Sequence, residues 1–181
     1  MCTGDVMPSA GDAMMLVPGC MSCDILAGKL TTPGGVIYEN EYWHVDSVVS
    51  PVCWLGFLII KLKRHCEHLA ELTPEEAGAL GPVVRATCSA LTEVLKPAKV
   101  YVCSFGDGVK HIHLWVLPRP PEMRPGMHWV MLNLDIRTVL TRRFGIKRWV
   151  CSDEEVAELA SRVREQIHQL LHQGMRGRPN Q

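Results

Sequence analysis

Residues 111–117 are His-Ile-His-Leu-Trp-Val-Leu, an alternation of aliphatic with polar or aromatic side chains that predicts a β-strand. Successive side chains of a strand point to opposite faces, so His111, His113 and Trp115 are expected on one face and the aliphatic residues between them in the core. Two histidines so spaced start roughly 6 to 7 Å apart. That spacing suits two ligands of one metal, or one ligand beside a catalytic base or nucleophile. Two solvent-facing histidines on a half-buried strand would give the same pattern.

The sequence around this segment predicts an α+β fold with a mostly antiparallel sheet. Thr73 and Glu76 form a capping box at the start of a long helix, which Pro82 is expected to kink. A second capping box, Ser152 with Glu155, opens a C-terminal helix with an apolar face. The predicted strands are residues 36–38, 43–48, 56–62, 99–105 and 111–117, with a tight turn at 106–108, and residues 131–140 are predicted as a strand or a short helix.

The composition is that of a globular domain. The 181 residues are 47% hydrophobic and 21% charged, which excludes a disordered chain, a coiled coil and a collagen-like repeat. Lys plus Arg equals Asp plus Glu at 19 each, so the chain lacks the basic excess of a non-specific nucleic-acid-binding protein. The basic residues between 137 and 148 are interpreted as a solvated face rather than a grip for a polyphosphate or a nucleic-acid end.

A cytoplasmic location is expected from the apolar segments. The longest of them, residues 48–60, is interrupted by Pro51 and is shorter than the roughly 20 residues of a membrane-spanning helix. Residues 1–19 have no basic segment leading into an apolar one, so they do not resemble a secretory signal peptide. The eight cysteines are therefore expected to be reduced thiols or metal ligands.

Cys20 and Cys23 form a CxxC motif. A redox pair, half of a zinc site and coincidence are all compatible with it. The sequence contains no second CxxC, which excludes a four-cysteine zinc site of the usual spacing. A closed structural site of two cysteines and two histidines stays open. The candidate histidines are His65, His68, His111 and His113.

Short segments from Cys20 to Arg119 carry a family resemblance through their order and spacing. They are CMSCDILAG (20–28), YEN (38–40), GFLIIKLKRH (56–65), LAELTPEE (69–76), VYVCSFG (100–106) and HIHLWVLPR (111–119). Together they resemble the histidine triad (HIT) superfamily of nucleotide hydrolases and transferases. The resemblance implies a HIT-like antiparallel sheet with a long helix. The domain prediction is a flexible arm at 1–18, a HIT-like domain at 19–126, and a C-terminal extension with an amphipathic helix at 127–181.

The resemblance also implies roles for individual residues. In the family, the middle histidine of the His-φ-His-φ-His motif attacks the α-phosphorus of a nucleotide, and this role falls to His113. The implied activity is hydrolysis or nucleotidyl transfer through a covalent nucleotidyl-histidine. In the zinc-bearing branch, related to galactose-1-phosphate uridylyltransferase, a CxxC pair, a later histidine and the first motif histidine hold a structural Zn²⁺. The corresponding residues here are Cys20, Cys23, His65 and His111, and His68 is interpreted as a solvated residue.

The implied partners are a nucleotide or nucleotide-conjugate substrate and a second copy of the chain, with no membrane and no nucleic acid. In the implied homodimer the two sheets join across a two-fold axis. The apolar face of the C-terminal helix is expected to pack on the core or across the dimer.

Trp115 departs from the family pattern, because it stands where the third histidine contacts the phosphate. Indole has one N–H donor and no acceptor, so Trp115 can donate to a phosphate oxygen but cannot shuttle a proton; filling the pocket is the alternative. Lys110 and Arg119 are expected to neutralise phosphate charge. Two other functions stay open: a nucleotide-binding protein with decayed catalysis, and an enzyme that uses His111 and His113 as ligands of an open metal centre.

Overall fold

The computed structural model describes residues 16–50, 54–125 and 151–176, and describes side chains of the last helix as far as residue 171. The described residues form a mixed α+β fold around one five-stranded antiparallel sheet, which confirms the predicted fold class. The strands are β1 (Tyr38–Glu39), β2 (Trp43–Ser47), β3 (Leu58–Leu62), β4 (Lys99–Cys103) and β5 (His113–Arg119), in the order β1-β2-β3-β5-β4. The helices are α1 (Met21–Leu26), α2 (Pro74–Leu95) and α3 (Asp153–Arg176), and a 3₁₀ turn covers Leu69–Glu71.

Both predicted capping boxes are present. The Glu76 backbone N–H donates to the Thr73 hydroxyl at 3.2 Å, and the Thr73 N–H donates to the Glu76 carboxylate at 2.8 Å. The reciprocal bonds between Ser152 and Glu155 have lengths of 2.8 and 3.2 Å. These bonds satisfy backbone donors that the first turn of a helix leaves unpaired. α2 contains Pro82 and continues past it to Leu95.

The main apolar core lies between one face of the sheet and the helices α2 and α3, so the C-terminal helix packs on the core of its own chain. Arg164 of α3 donates to the backbone oxygens of Gly34 at 2.7 Å and Val36 at 2.8 Å. Gly34 has φ +78°, and a Cβ at that position would lie 2.5 Å from the Cβ of Ala160. The buried apolar residues of α3 are Val156, Leu159, Ala160, Val163 and Ile167.

The opposite side of the sheet, called here the far face, divides into an apolar and a polar half. A second apolar cluster of Trp54, Phe57, Ile59, Leu117 and Met123 covers one half. Lys61 lies two residues after Ile59 on β3 and is paired in register with His113 of β5. Alternate residues of a strand share a face. The polar half of the far face therefore carries the side chains of Lys61 and His113, together with those of His44 and Asp46 from β2.

β5 begins two residues later than predicted. The His111 N–H donates to the Val109 oxygen at 2.8 Å, and the Ile112 N–H donates to the Cys66 oxygen at 2.7 Å. The Ile112 N–H is therefore directed away from β3, although the Ile112 oxygen still accepts from the Leu62 N–H at 3.1 Å, and the strand begins at His113. As predicted, Ile112 and the alternate aliphatic residues after it pack into the main core.

Other sequence predictions agree less well with the structure. Residues 104–112 connect β4 to β5, where a tight turn at 106–108 was expected. α1, which contains the second cysteine of the CxxC motif, was not predicted. The predicted N-terminal arm, apart from its last residues, and the element at 131–140 lie outside the described residues. No helix in the described ranges is long and apolar enough to cross a membrane.

Candidate metal site and active site

The structure brings together the four residues expected to bind a metal. The potential ligand atoms of Cys20, Cys23, His65 and His111 all lie within 4.8 Å of one another, and within the described ranges no other such group occurs. Individual Sγ–Nδ1 distances are 3.3 Å for Cys23 to His65, 3.5 Å for Cys23 to His111 and 3.6 Å for Cys20 to His111. Ligands of a tetrahedral zinc ion lie roughly 3.3 to 3.8 Å apart, given Zn–N and Zn–S bonds of about 2.1 and 2.3 Å. The residues present therefore fit a closed tetrahedral site.

Three separate segments supply these ligands. Cys20 and Cys23 come from the start of α1, His65 follows β3 and His111 precedes β5. Nε2 of His111 donates to the Leu62 backbone oxygen at 2.7 Å, which leaves Nδ1 facing the two sulfur atoms. A hydrogen bond of this kind on the second ring nitrogen is how ligating histidines are usually oriented. A metal here would tie α1 to the ends of β3 and β5.

The electrostatics of the cluster suit a cation. Burial lowers the pKa of His111 to about 4, so its imidazole is neutral near pH 7, the form that coordinates a metal. Burial raises the pKa of the Cys23 thiol, and the neighbouring Cys20 adds to that effect. A bound cation would reverse this effect by stabilising the thiolate. His68 is exposed and lies outside the cluster.

His113, the expected nucleophile, is oriented by the same residue that completes the metal cluster. Its Nδ1 donates to the backbone oxygen of His111 at 2.6 Å. A neutral imidazole that donates from Nδ1 carries its lone pair on Nε2. The side chain is 8% exposed on the far face, and Ser104 donates to the His113 backbone oxygen at 2.8 Å. The arrangement presents a fixed imidazole with one nucleophilic nitrogen.

Trp115 lies on the far face, two residues beyond His113. Its ring makes edge-to-face contacts with Phe57 and Phe105, with centroid distances of 5.2 and 5.5 Å. Phe105 is 51% exposed, so this aromatic group reaches the surface beside His113. No acceptor for the indole N–H is found in the part of the chain that the structure describes, and the side chain is half-buried.

The structure places Arg119 away from His113, so the two residues are not brought together. Arg119 is the last residue of β5, about 20 Å along the strand from His113 at the usual rise per residue. Its side chain is buried and donates to the Met123 backbone oxygen, at the apolar half of the far face. Lys110 is exposed in the connection before His111.

Sequence reasoning missed an ion pair beside His113. Lys61 is 1% exposed and donates to both carboxylate oxygens of Asp46, at 2.8 and 2.6 Å. Nε2 of His44 lies 3.3 Å from the same carboxylate, and its Nδ1 lies 3.4 Å from Glu39. Burial lowers the pKa of Lys61, and Asp46 opposes that shift. The available signal was a lysine within the otherwise apolar strand at 58–62 and an aspartate within the neighbouring predicted strand at 43–48.

Comparisons with known proteins find one sequence family and several solved structures that resemble this chain. The sequence profile of the HIT domain family matches residues 29–122. No curated protein sequence matches the chain significantly. Among solved structures, a Zn-bound histidine triad family protein from Mycobacterium smegmatis is 23% identical with a TM-score of 0.59, covering 86% of this chain and 97% of its own.

Two further structures share the fold. A hypothetical histidine triad nucleotide-binding protein from Sulfolobus tokodaii strain 7 is 20% identical with a TM-score of 0.61, covering 83% of this chain and 93% of its own. The diadenosine triphosphate hydrolase of Plasmodium falciparum is 14% identical with a TM-score of 0.52, covering 74% of this chain and 76% of its own. At these identities the likeness concerns the fold.

Proposed function

Because this chain belongs to the HIT domain family, we propose that it is a nucleotide hydrolase or nucleotidyltransferase that acts at an α-phosphate. The observation that carries the proposal is the orientation of His113, whose Nδ1 is bonded to the His111 oxygen and whose Nε2 is available on the far face. A structural neighbour, the Plasmodium falciparum protein, is a diadenosine triphosphate hydrolase, which supports a phosphate-linked nucleotide as the substrate class.

The proposed reaction has a covalent intermediate. Nε2 of His113 attacks the α-phosphorus, a P–N bond forms, and the bond from phosphorus to the leaving atom, oxygen in a polyphosphate or nitrogen in a phosphoramidate, breaks with its electron pair on that atom. Water then hydrolyses the nucleotidyl-histidine, or an acceptor alcohol or phosphate takes the nucleotidyl group. As the imidazole becomes an imidazolium, the His111 backbone oxygen that accepts from Nδ1 stabilises the developing charge.

We also propose that the four-residue cluster holds a structural Zn²⁺. Two thiolates and two imidazoles in a tetrahedral arrangement favour zinc, and the Mycobacterium smegmatis neighbour is Zn-bound. With four protein ligands the metal would be a closed site that supplies rigidity and no open coordination position. Its role would be to fix His111, and through the His111 backbone the ring of His113.

A homodimer, a nucleotide or nucleotide-conjugate substrate and a cytoplasmic location complete the proposal. Trp115 is proposed to contact the substrate, because its indole lies beside His113 on the far face. Lys110 stays a candidate for phosphate contact from its exposed position before His111. Arg119 is left out of this proposal, because its buried guanidinium donates to the Met123 oxygen at the other end of β5.

Mass spectrometry after incubation with a panel of nucleoside phosphoramidates and dinucleoside polyphosphates tests the mechanism. A nucleotidyl adduct on His113 is expected in the wild type. His113→Ala should abolish the adduct and turnover while keeping the metal, whereas His68→Ala, a change at an exposed histidine, should leave both intact. Wild-type turnover in a metal-loaded His113→Ala variant would overturn the mechanism. Tight nucleotide binding with neither adduct nor turnover would favour the second function, a binding protein with decayed catalysis.

Metal analysis of purified variants tests the zinc site. About one zinc per chain is expected in the wild type. A Cys20→Ser, Cys23→Ser double variant should lose it and become less stable, because the free energy of metal binding to the folded site contributes to folding. Cys88→Ser, a change in α2 away from the cluster, is the matched control and should keep the metal. Full zinc occupancy in the double variant would rule out this ligand set.

A further inference from the structure

The far face contains a buried cation that the mechanism above does not use. Lys61 and Asp46 are 1% and 0% exposed, and their ion pair lies on the same face as His113. His44 contacts the Asp46 carboxylate from β2. Replacing a buried ion pair by apolar residues is often neutral or stabilising, so stability alone does not account for a pair at this position.

The register of the sheet places the lysine next to the nucleophile. Lys61 of β3 and His113 of β5 are directly paired, and their side chains share the far face. The Cβ atoms of such a pair are about 4.5 to 5.5 Å apart. Asp46 belongs to β2, one strand further from β5, so the positively charged member of the pair is on the strand adjacent to His113.

The hydrogen bonds of Lys61 leave it one donor for a ligand. An ammonium group has three N–H donors. Two of them are directed to the two oxygens of Asp46, and the described residues provide no acceptor for the third. The bonds to Asp46 fix the position of the ammonium group.

Phosphoryl transfer needs positive charge where the phosphoryl oxygens lie. Arg119 is at the far end of β5 and is bonded to Met123. Lys110 is exposed in a connecting segment, with no contact that fixes its side chain within the described ranges. Among the described cations, Lys61 is the one held by charged partners on the strand next to His113.

We propose that Lys61 is the phosphate-binding residue of this site, its third N–H directed to an α-phosphoryl oxygen of the nucleotide at His113, with Asp46 and His44 holding the ammonium group. This inference rests on the proposed function. It assigns recognition of the α-phosphate to a residue outside the His-φ-His motif, and it explains how the site can neutralise phosphate charge with tryptophan at position 115.

Calorimetric titration with AMP and with adenosine tests the assignment, because the two ligands differ only in the phosphate. The main variant is Asp46→Asn with Lys61→Met, which removes both charges together and leaves no buried charge uncompensated. We expect its preference for AMP over adenosine to fall roughly tenfold or more, the effect of losing a charged hydrogen bond. Lys63→Met removes an equal charge two residues away, where the lysine contacts Glu39 and Asn40, and should keep the wild-type preference.

A second variant keeps the test decisive if the double variant does not fold. Asp46→Asn alone keeps Lys61 but removes the carboxylate whose two oxygens fix its ammonium group, so the preference for AMP should fall below that of the wild type. A folded double variant, or a folded Asp46→Asn variant, that keeps the wild-type preference would overturn the assignment of Lys61 alone. A wild type with no AMP preference and no adduct on His113 would overturn the proposed function as well.

Discussion

His111 belongs to both the candidate metal site and the candidate active site. Its ring completes the metal cluster and its backbone oxygen accepts from His113. Substitution of the ring is therefore expected to affect metal binding first and catalysis only as a consequence. His111→Ala should lose zinc and stability, whereas His113→Ala should lose only the chemistry.

Trp115→His is expected to impair the reaction rather than restore an ordinary triad. The indole packs edge-to-face between Phe57 and Phe105, and a smaller ring would lose part of both contacts. Loss of an N–H donor to the substrate would raise the activation free energy by about 1 to 3 kcal/mol. Steady-state kinetics on the substrate that forms the His113 adduct would measure this.

Trp115→Phe is the matched control, because it keeps a six-membered aromatic ring between Phe57 and Phe105 and removes the N–H donor. We expect Trp115→Phe to retain stability and lose turnover to a similar extent. An increase in turnover in the Trp115→His variant would show that the tryptophan merely filled the pocket.

The four residues of the candidate metal site were predictable from the sequence, whereas the surroundings of His113 were not. The CxxC motif and the order of the histidines carried the family resemblance, and the structure brings all four residues together. The position of Arg119 depends on which end of β5 faces the site, and the pairing of Lys61 with Asp46 depends on strand register. Neither is encoded in local residue spacing, so both required the fold.

At the scale of single elements, the starts of α2 and α3 were predicted most accurately. A capping box is a local pattern, and both examples formed as expected. The start of β5 was predicted less well, since the contact of Ile112 with Cys66 comes from a segment distant in sequence.

The cap of α2 predicts a pH dependence of stability. Burial raises the pKa of Glu76, but hydrogen bonds from Arg64 and from the Thr73 backbone outweigh that effect and bring the pKa below its ordinary 4.5. A carboxyl with a lowered pKa stabilises the fold above its unfolded pKa, and this contribution is lost as the pH falls below 4.5 through the folded value. Glu76→Gln should lower the free energy of unfolding by about 1 to 3 kcal/mol at pH 7 and by less at low pH.

Urea unfolding at pH 7 and in acid would measure the difference. Glu75→Gln, at the exposed neighbouring position, is the control and should change stability little at either pH. A pH-independent loss in the Glu76→Gln variant would contradict the role of its charge.

The contact between α3 and the segment before β1 makes a second prediction at this scale. Gly34 and Gly35 both have positive φ, +78° and +62°, but only at Gly34 would a Cβ meet α3, 2.5 Å from Ala160. Gly35→Ala should cost about 1 kcal/mol from backbone strain, and Gly34→Ala should cost about 1 to 3 kcal/mol more from the clash.

Thermal unfolding of the two alanine variants compares them directly. Adding Ala160→Gly to the Gly34→Ala variant should recover part of the difference, because it removes the atom that clashes. Equal losses for the two single variants would show that α3 does not pack tightly at Gly34.

For the whole molecule, the proposed homodimer predicts a doubled mass in light scattering at micromolar concentration. β4 lies at one edge of the sheet, and Val102 on it is 38% exposed. An edge strand offers unpaired backbone groups to a second copy, and a charge placed on it opposes such pairing. Val102→Lys should therefore shift the equilibrium toward the monomer. Val36→Lys, at another exposed valine away from β4, should not. A wild-type mass equal to one chain would contradict the dimer.

The docking of α3 also has a consequence for how the protein is made. α3 begins at Asp153, far beyond the end of α2 at Leu95, yet it covers the core face of the sheet and contacts Gly34. At a translation rate of about 5 to 20 residues per second, a ribosome needs roughly 3 to 12 seconds to synthesise the chain between those two helices. During that interval the emerging polypeptide exposes the apolar surface that α3 will cover. Chains that terminate before Asp153 would therefore be substrates for chaperones and proteases.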